Sequence, residues 1–126
     1  MLIRQPIAAG RFYPAAPEAL EREARAYLEG GAALAERGGA ASPWGLMLPH
    51  AGYVYCGRVL GATLAGVDLP RTLVLLCPNH TGQGQALGVW PEGAWLTPLA
   101  PLTVDAEGLG VRCFYESEAV LEAADS

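Results

Sequence analysis

The chain has 126 residues, the length of one ordinary domain, and 52% of them are hydrophobic against 17% charged. This balance predicts a single packed globular domain over residues 1–126 and argues against a disordered segment. The net charge is −5 and the eight basic residues form no run, which argues against a nucleic-acid-binding surface. Because no apolar run approaches the length of a membrane span and no secretory leader is evident, we predict a cytoplasmic protein without membrane contact.

The first predicted element is an amphipathic helix that begins near Pro17, since proline is well tolerated in a first helical turn. Apolar residues recur along it with helical spacing, and we expect it to end at the glycine pair Gly30-Gly31. The small residues of 32–43 then form a connector that is too short to separate two domains.

A βαβ unit is predicted next. The short apolar runs Gly45–Leu48 and Arg71–Cys77 each stop before a proline, and the small residues of 58–66 favour a helix between them. Strands that are apolar on both faces belong in a parallel sheet with helices on both sides. The predicted fold class is therefore α/β, with a mostly parallel sheet covered by helices on both faces. Further strands are expected over 86–90, 95–98, 102–104 and 111–115, and a closing helix over 117–124.

The most informative residues are the two histidines, His50 and His80. Each follows a predicted strand by two or three residues, and ligands of open α/β sheets bind beyond the carboxyl ends of the strands. Imidazole suits iron, copper and zinc, so the pair is interpreted as metal ligands or acid/base groups. The competing interpretation is that each histidine only hydrogen-bonds its own loop. Asp105 is the nearest plausible carboxylate in the latter part of the chain for a third ligand, although an aspartate there is more typical of a turn.

Tyr53 and Tyr55 follow His50 closely and would face the same side of an extended segment, where they could orient a substrate; packing beneath the sheet edge is the alternative. Cys56 could be a nucleophile or a soft ligand, or simply a small buried hydrophobe. The three cysteines form neither a disulfide framework nor a paired zinc motif. No glycine-rich stretch matches a nucleotide-binding loop, and no serine lies in a nucleophile elbow, so neither function is predicted.

Four blocks of the sequence together resemble the Memo family, whose prokaryotic members are called AmmeMemoRadiSam system protein B. They are residues Ala9–Pro14, Pro49–Gly57, Pro78–Thr81, and Trp95–Leu99 with Val104-Asp105.

This resemblance implies a fold similar to the catalytic subunit of class III extradiol non-haem iron dioxygenases, with His50 and His80 at the positions of two metal ligands. It implies a divalent metal, iron or copper before zinc, and no nucleotide. The resemblance implies no particular reaction, because none is settled for the family, and the eukaryotic member is regarded as an adaptor in cell-motility signalling. Family chains are about twice as long, and their C-terminal half brings a further histidine, an aspartate and a cysteine to the site. No residue of this sequence matches those three.

The leading hypothesis is a shortened, Memo-like protein whose two histidines bind a metal and whose redox chemistry needs another chain. The rival is a non-catalytic adaptor or binding module that holds a peptide or small molecule in a strand-end groove. That groove would be lined by His50, His80, Tyr53, Tyr55 and Trp95, with Asn79 beside His80. A third hypothesis is a remnant that keeps only the structural identity of the family. Uncovered strand edges and helix faces predict a homo-oligomer or a partner chain.

Overall fold

A computed structural model of the chain describes residues 1–35, 43–80, 82, 88–105 and 113–115. It combines helices and strands, as the α/β prediction requires. Two compact units organise the chain: Ala8–Leu69, called here the helical unit, and Met1–Ile7 together with the chain from Pro70 onward, called the strand unit. The single domain predicted for residues 1–126 stays a prediction.

The helical unit contains two helices, α1 (Pro17–Ala35) and α2 (Tyr53–Leu64), which pack against each other. The predicted start of α1 at Pro17 is confirmed, and Glu18 in the first turn places a negative charge near the positive end of the helix dipole. The predicted end at Gly30-Gly31 is wrong, because the helix continues to Ala35. The first residues of the predicted connector are thus helical, and 36–42 lie outside the described residues.

The glycines near the end of α1 serve helix packing. Gly31 is buried, and a Cβ atom placed on it would overlap the backbone carbonyl of Gly61 in α2. A Cβ on Gly57 would overlap the ring of Tyr27, and one on Gly61 would overlap the Tyr27 carbonyl. Backbone-to-backbone contact of this kind requires residues without a side chain. A pair of glycines inside a helical pattern can therefore mark a close helix crossing as well as a helix end.

Helix α2 begins five residues before the predicted start at residue 58 and ends at Leu64, two residues before the predicted end. Aromatic and β-branched residues at Tyr53-Val54-Tyr55 favour an extended segment by propensity, but tertiary packing overrides such preferences. The Tyr53 ring packs against Tyr13 and Tyr27 within the helical unit. This packing is available only if the chain turns into a helix at Tyr53.

The strand unit holds two small sheets of three strands each. In one, β1 (Ile3–Arg4) pairs parallel with β4 (Ala94–Leu96), and β4 pairs antiparallel with β5 (Pro101–Thr103). In the other, β6 (Cys113–Tyr115) lies between β2 (Leu76–Cys77), to which it is parallel, and β3 (Val89–Trp90), to which it is antiparallel. Both sheets are therefore mixed, and β4, predicted as an edge strand, lies at the centre of its sheet.

Several predicted strands need correction. Residues 45–48 form no strand, and only the last two residues of the predicted strand Arg71–Cys77 are paired, so the βαβ unit is not formed as predicted. A run of four or five apolar residues has the same sequence pattern whether or not its backbone groups pair with a neighbouring strand. The pattern alone therefore could not show that these residues are unpaired. The sheet covered by helices on both faces is not confirmed either, since Leu73, Val74 and Leu76 are 46%, 48% and 73% exposed.

The predicted strands over 95–98 and 102–104 correspond to β4 and β5, with ends shifted by one or two residues. The predicted strands over 86–90 and 111–115 correspond to β3 and β6, which end at the predicted residues, while residues 86–87 and 111–112 lie outside the described range. The predicted closing helix over 117–124 also lies outside the described residues.

The described core is small. Its buried hydrophobic side chains are Leu20 and Cys56 in the helical unit and Trp90 in the strand unit, where Leu2, Trp95 and Val104 pack around Trp90. Within the described part of the chain, no helix combines the length and the apolar character needed to cross a membrane.

Candidate metal site

His50 lies on a short loop that leads directly into α2. Its side chain is exposed, and the loop passes through the buried Gly52 before the helix begins at Tyr53. Gly52 offers no side chain to cap the helix, but its carbonyl accepts hydrogen bonds from the N–H groups of Tyr55, at 2.9 Å, and Cys56, at 3.1 Å. The loop is thereby fixed to the first turn of α2 on one side.

A tight turn over residues 8–13 holds the same end of this loop. The N–H groups of Arg11 and Phe12 donate to the Ala8 carbonyl at 3.1 and 2.9 Å, and Gly10 N–H donates to the Tyr13 carbonyl at 2.7 Å. Gly10 has φ +80°, a backbone conformation that favours glycine. The Phe12 carbonyl of this turn accepts the N–H of Tyr53 at 2.7 Å. The turn therefore satisfies one of the backbone donors that the start of α2 leaves open.

This contact joins two of the sequence blocks that the resemblance rests on, residues 9–14 and 49–57. Sequence reasoning identified both blocks but missed that the first supports the second. The link runs through backbone atoms of Phe12 and Tyr53, and Gly52 lies close enough that an added Cβ atom would be 3.4 Å from the Phe12 oxygen. A backbone link has no side-chain signature, although the small and aromatic residues of the first block were consistent with a packed turn.

Cys56 is buried beneath the same loop, with a side chain only 5% exposed. Its thiol donates to the Ala51 carbonyl, with Sγ 3.0 Å from the oxygen, and lies 3.9 Å from the Pro49 carbonyl. The burial agrees with a small buried residue among the predicted roles. A nucleophile would need an accessible sulfur atom.

Tyr53 and Tyr55 do not share a face, which corrects the prediction made for an extended segment. Residues two positions apart on a helix point to nearly opposite sides. The Tyr53 ring lies 5.7 Å from that of Tyr13 and 6.3 Å, edge on, from that of Tyr27, and its partial burial raises the pKa of the Tyr53 phenol. Tyr55 is 84% exposed. Tyr53 therefore packs against other side chains, as the alternative has it, but against aromatic rings of the helical unit rather than beneath a sheet edge.

His80 lies in the strand unit, three residues after β2, and its side chain is exposed. The preceding residue, Asn79, accepts the Gly82 N–H on its side-chain oxygen Oδ1 at 2.8 Å. Gly82 has φ +68°, which a residue with a side chain would adopt only with strain. Asn79 thus stabilises the turn around His80, a structural role compatible with the binding role predicted for it.

Trp95 lies on β4 in the strand unit. The Arg4 guanidinium stacks over its ring, 4.4 Å from the centroid, in a cation–π contact. Trp95 also lines a groove of about 360 Å³ together with Leu73, Leu75 and Leu102. Asp105, which also lines this groove, accepts the Thr72 hydroxyl on its carboxylate at 3.3 Å. This hydrogen bond joins residues 33 positions apart in the chain, so it is not a turn contact, and both roles considered for Asp105 stay predictions.

The donor chemistry fits a divalent transition metal in part. Two exposed imidazoles on hydrogen-bonded turns match the ligand preference of iron and copper. A catalytic site normally takes three protein ligands, however, and the described residues contain no group of three histidine, cysteine, aspartate or glutamate side chains placed to hold a metal ion.

Comparison with known proteins identifies the family. The model of the family described as "Memo-like protein" matches residues 4–111. A MEMO1 family protein of Thermotoga neapolitana is 37% identical over 119 residues, which cover 87% of this chain and 43% of the relative. One of Methanosarcina barkeri is 44% identical over 110 residues, covering 85% and 39% of the two chains. One of Aeropyrum pernix is 40% identical over 115 residues, covering 85% and 41%.

The chain spans about two fifths of the length of these curated relatives. The family match nevertheless includes both histidine turns, the Ala8–Tyr13 turn and all of α2. The resemblance seen in the sequence is thereby confirmed, and the chain belongs to the Memo family.

Proposed function

We propose that this Memo-family chain supplies His50 and His80 as ligands to a divalent metal ion, iron or copper, in a non-haem redox site that ligands from another chain complete. One observation carries the proposal. The only two histidines of the sequence both lie exposed on short turns that hydrogen bonds from neighbouring residues hold in place. Both also lie inside the region that matches the family.

The arrangement of each turn supports ligation in physical terms. An exposed imidazole can offer a ring nitrogen to an ion without first being freed from a packed core, and a turn that is already ordered loses little conformational freedom on binding. Around His50 the order comes from the Phe12 carbonyl and the Cys56 thiol, and around His80 from the Asn79 amide. A bound iron or copper ion would supply Lewis-acid and redox chemistry, and the two imidazoles would hold it.

The completing chain belongs to the same proposal. Leu73 to Leu76 form an apolar run in the strand unit whose four side chains are 39–73% exposed. Exposed apolar stretches of this kind are typical of surfaces that another chain or segment covers. We therefore extend the proposal to self-association or a partner chain, and to a larger, mostly parallel sheet that helices cover on both faces. A cytoplasmic location is part of the same expectation.

Metal titration tests the proposal. The purified chain, without an added histidine tag, is titrated under anaerobic conditions with Fe²⁺, and separately with Cu²⁺ and Zn²⁺, and the bound metal is quantified after dialysis. We expect bound iron or copper in the unmodified chain and less bound metal after dialysis in His50→Ala and in His80→Ala. Asp68→Asn, which removes an exposed carboxylate at a position outside both turns in the sequence, serves as the control and should bind as the unmodified chain does.

Two results would count against the metal proposal: an unmodified chain that retains no iron or copper, or retention in both histidine variants that equals that of the unmodified chain. Light scattering tests separately whether the chain associates with a second copy of itself. A molecular mass of 13.2 kDa at high protein concentration, with no partner added, would exclude the homo-oligomer.

A further inference from the structure

We propose that Cys56 is a positioning residue that holds the His50 turn in the conformation required for ligation. This inference rests on the proposed function, because it assigns Cys56 a role through His50. The thiol itself neither binds the metal nor reacts in this account.

The geometry places the thiol under the turn that carries His50. Sγ is 3.0 Å from the carbonyl oxygen of Ala51 and 3.9 Å from that of Pro49, the residues on either side of His50 in the chain. The side chain is 5% exposed, so its donor is directed into the protein rather than to water. A single buried group is therefore close to the backbone on both sides of the proposed ligand.

The thiol acts on the backbone next to His50, whereas two other contacts act farther along the chain. The Phe12 carbonyl holds the chain at Tyr53, and the Gly52 carbonyl bonds to the helix, so both contacts lie beyond His50 in chain order. Gly52 contributes no capping side chain.

Loss of the thiol would release the turn. The Ala51 carbonyl then loses the donor that links it to α2. The imidazole of His50 loses a fixed position, in addition to any loss of stability that follows from the burial of Cys56. Preordered ligands bind more tightly because less conformational freedom is lost on binding. The thiol therefore acts on metal affinity through the turn.

The experiment compares Cys56→Ser, which keeps a hydrogen-bond donor, with Cys56→Ala, which has none. The metal is Fe²⁺, added to the full chain, and its dissociation constant is measured by competition with a chelator. We expect Cys56→Ala to weaken iron binding by about tenfold, the lower end of the effect of groups that orient a ligating histidine. Cys56→Ser should bind nearly as the unmodified chain does. Cys77→Ser and Cys77→Ala, at an exposed cysteine of the strand unit, are the matched controls and should both leave the affinity unchanged.

A second readout needs no metal. NMR signals of the His50 ring are compared in the metal-free variants, with circular dichroism as the measure of correct folding. We expect broadened or multiple His50 signals in Cys56→Ala and a single sharp set in Cys56→Ser. If Cys56→Ala does not fold, Cys56→Val fills the space without a donor and takes its place in the comparison.

The outcomes separate the two proposals. Identical His50 signals and identical iron affinity in the serine and alanine variants would overturn the positioning role. An unmodified chain that binds no iron, but whose His50 signals broaden in Cys56→Ala alone, would refute the proposed function and keep the role of Cys56 in fixing the turn.

Discussion

The adjacent glycines Gly30 and Gly31 of α1 give a direct test of the packing that supports the His50 turn. Gly31 is buried against α2, whereas Gly30 is exposed and a Cβ atom added to it would meet nothing within 4 Å. A Cβ atom added to Gly31 would lie 2.6 Å from the amide nitrogen of Ala62 and would overlap the Gly61 carbonyl. The perturbation is therefore Gly31→Ala, with Gly30→Ala as the matched control.

The expected magnitude follows from two opposing effects. Alanine is favoured over glycine inside a helix by about 1 kcal/mol, and this gain is common to both substitutions. Overpacking a close contact costs about 1–3 kcal/mol, and the upper end applies here because the obstructing atoms are backbone and cannot rotate away. The free energy of unfolding of Gly31→Ala should therefore lie about 3 kcal/mol below that of Gly30→Ala, which corresponds to about 10 °C in Tm.

The assay is urea denaturation followed by far-ultraviolet circular dichroism, with thermal unfolding as a second measure. Gly30→Ala should be at least as stable as the unmodified chain, and Gly31→Ala clearly less stable. Because α2 begins where the His50 turn ends, Gly31→Ala should also perturb the NMR signals of His50. Equal stability of the two variants would refute the close α1–α2 contact.

Three further predictions concern packing, pH and thiol reactivity. Trp90→Ala should lower the free energy of unfolding by about 3–5 kcal/mol, because Trp90 is 1% exposed. Trp44→Ala, at a fully exposed residue, should change this free energy little, and urea denaturation measures both variants. Burial raises the pKa of Tyr53, so the unfolded chain loses this phenol proton first and stability should fall as pH rises above about 10. Tyr53→Phe should reduce that alkaline loss in denaturation curves, and an unchanged pH profile would contradict it. Iodoacetamide should label Cys77 before Cys56 in the native chain, and peptide mass mapping would show the order. The reaction at Cys77 should be shifted to higher pH, because partial burial raises the pKa of that thiol. Faster labelling of Cys56 would contradict its burial.

Some of the fold is predictable from local sequence. The start of α1 at Pro17 follows from the position of a proline before a helical pattern, and β5 is correct to within a residue because the β-branched residues of Leu102-Thr103-Val104 favour a strand. The end of α1 could not be predicted in the same way. Glycine is typical of a helix end, but Gly31 lies buried in a helix crossing. Only the position of Gly61 on another helix decides between a helix end and a helix crossing at Gly31.

The candidate site likewise has features that the sequence can predict and features that it cannot. His50 and His80 are predictable because they are the only histidines and both follow prolines, and the family match covers both positions. The supports of the His50 turn are not, because the Phe12 carbonyl and the Cys56 thiol act on backbone atoms that have no pattern in sequence. The extended conformation expected for Tyr53 failed for a related reason, since its packing against Tyr13 depends on a turn some forty residues earlier in the chain.

The role of the two histidines is tested most directly by X-ray absorption at the metal edge of the iron-loaded or copper-loaded chain. Since the sequence contains only His50 and His80, every imidazole detected around the ion must come from one of them. We predict scattering from two imidazoles in the unmodified chain and from one fewer in His50→Ala and in His80→Ala. A bound ion without imidazole scattering, or with scattering unchanged in both variants, would contradict the proposed metal site.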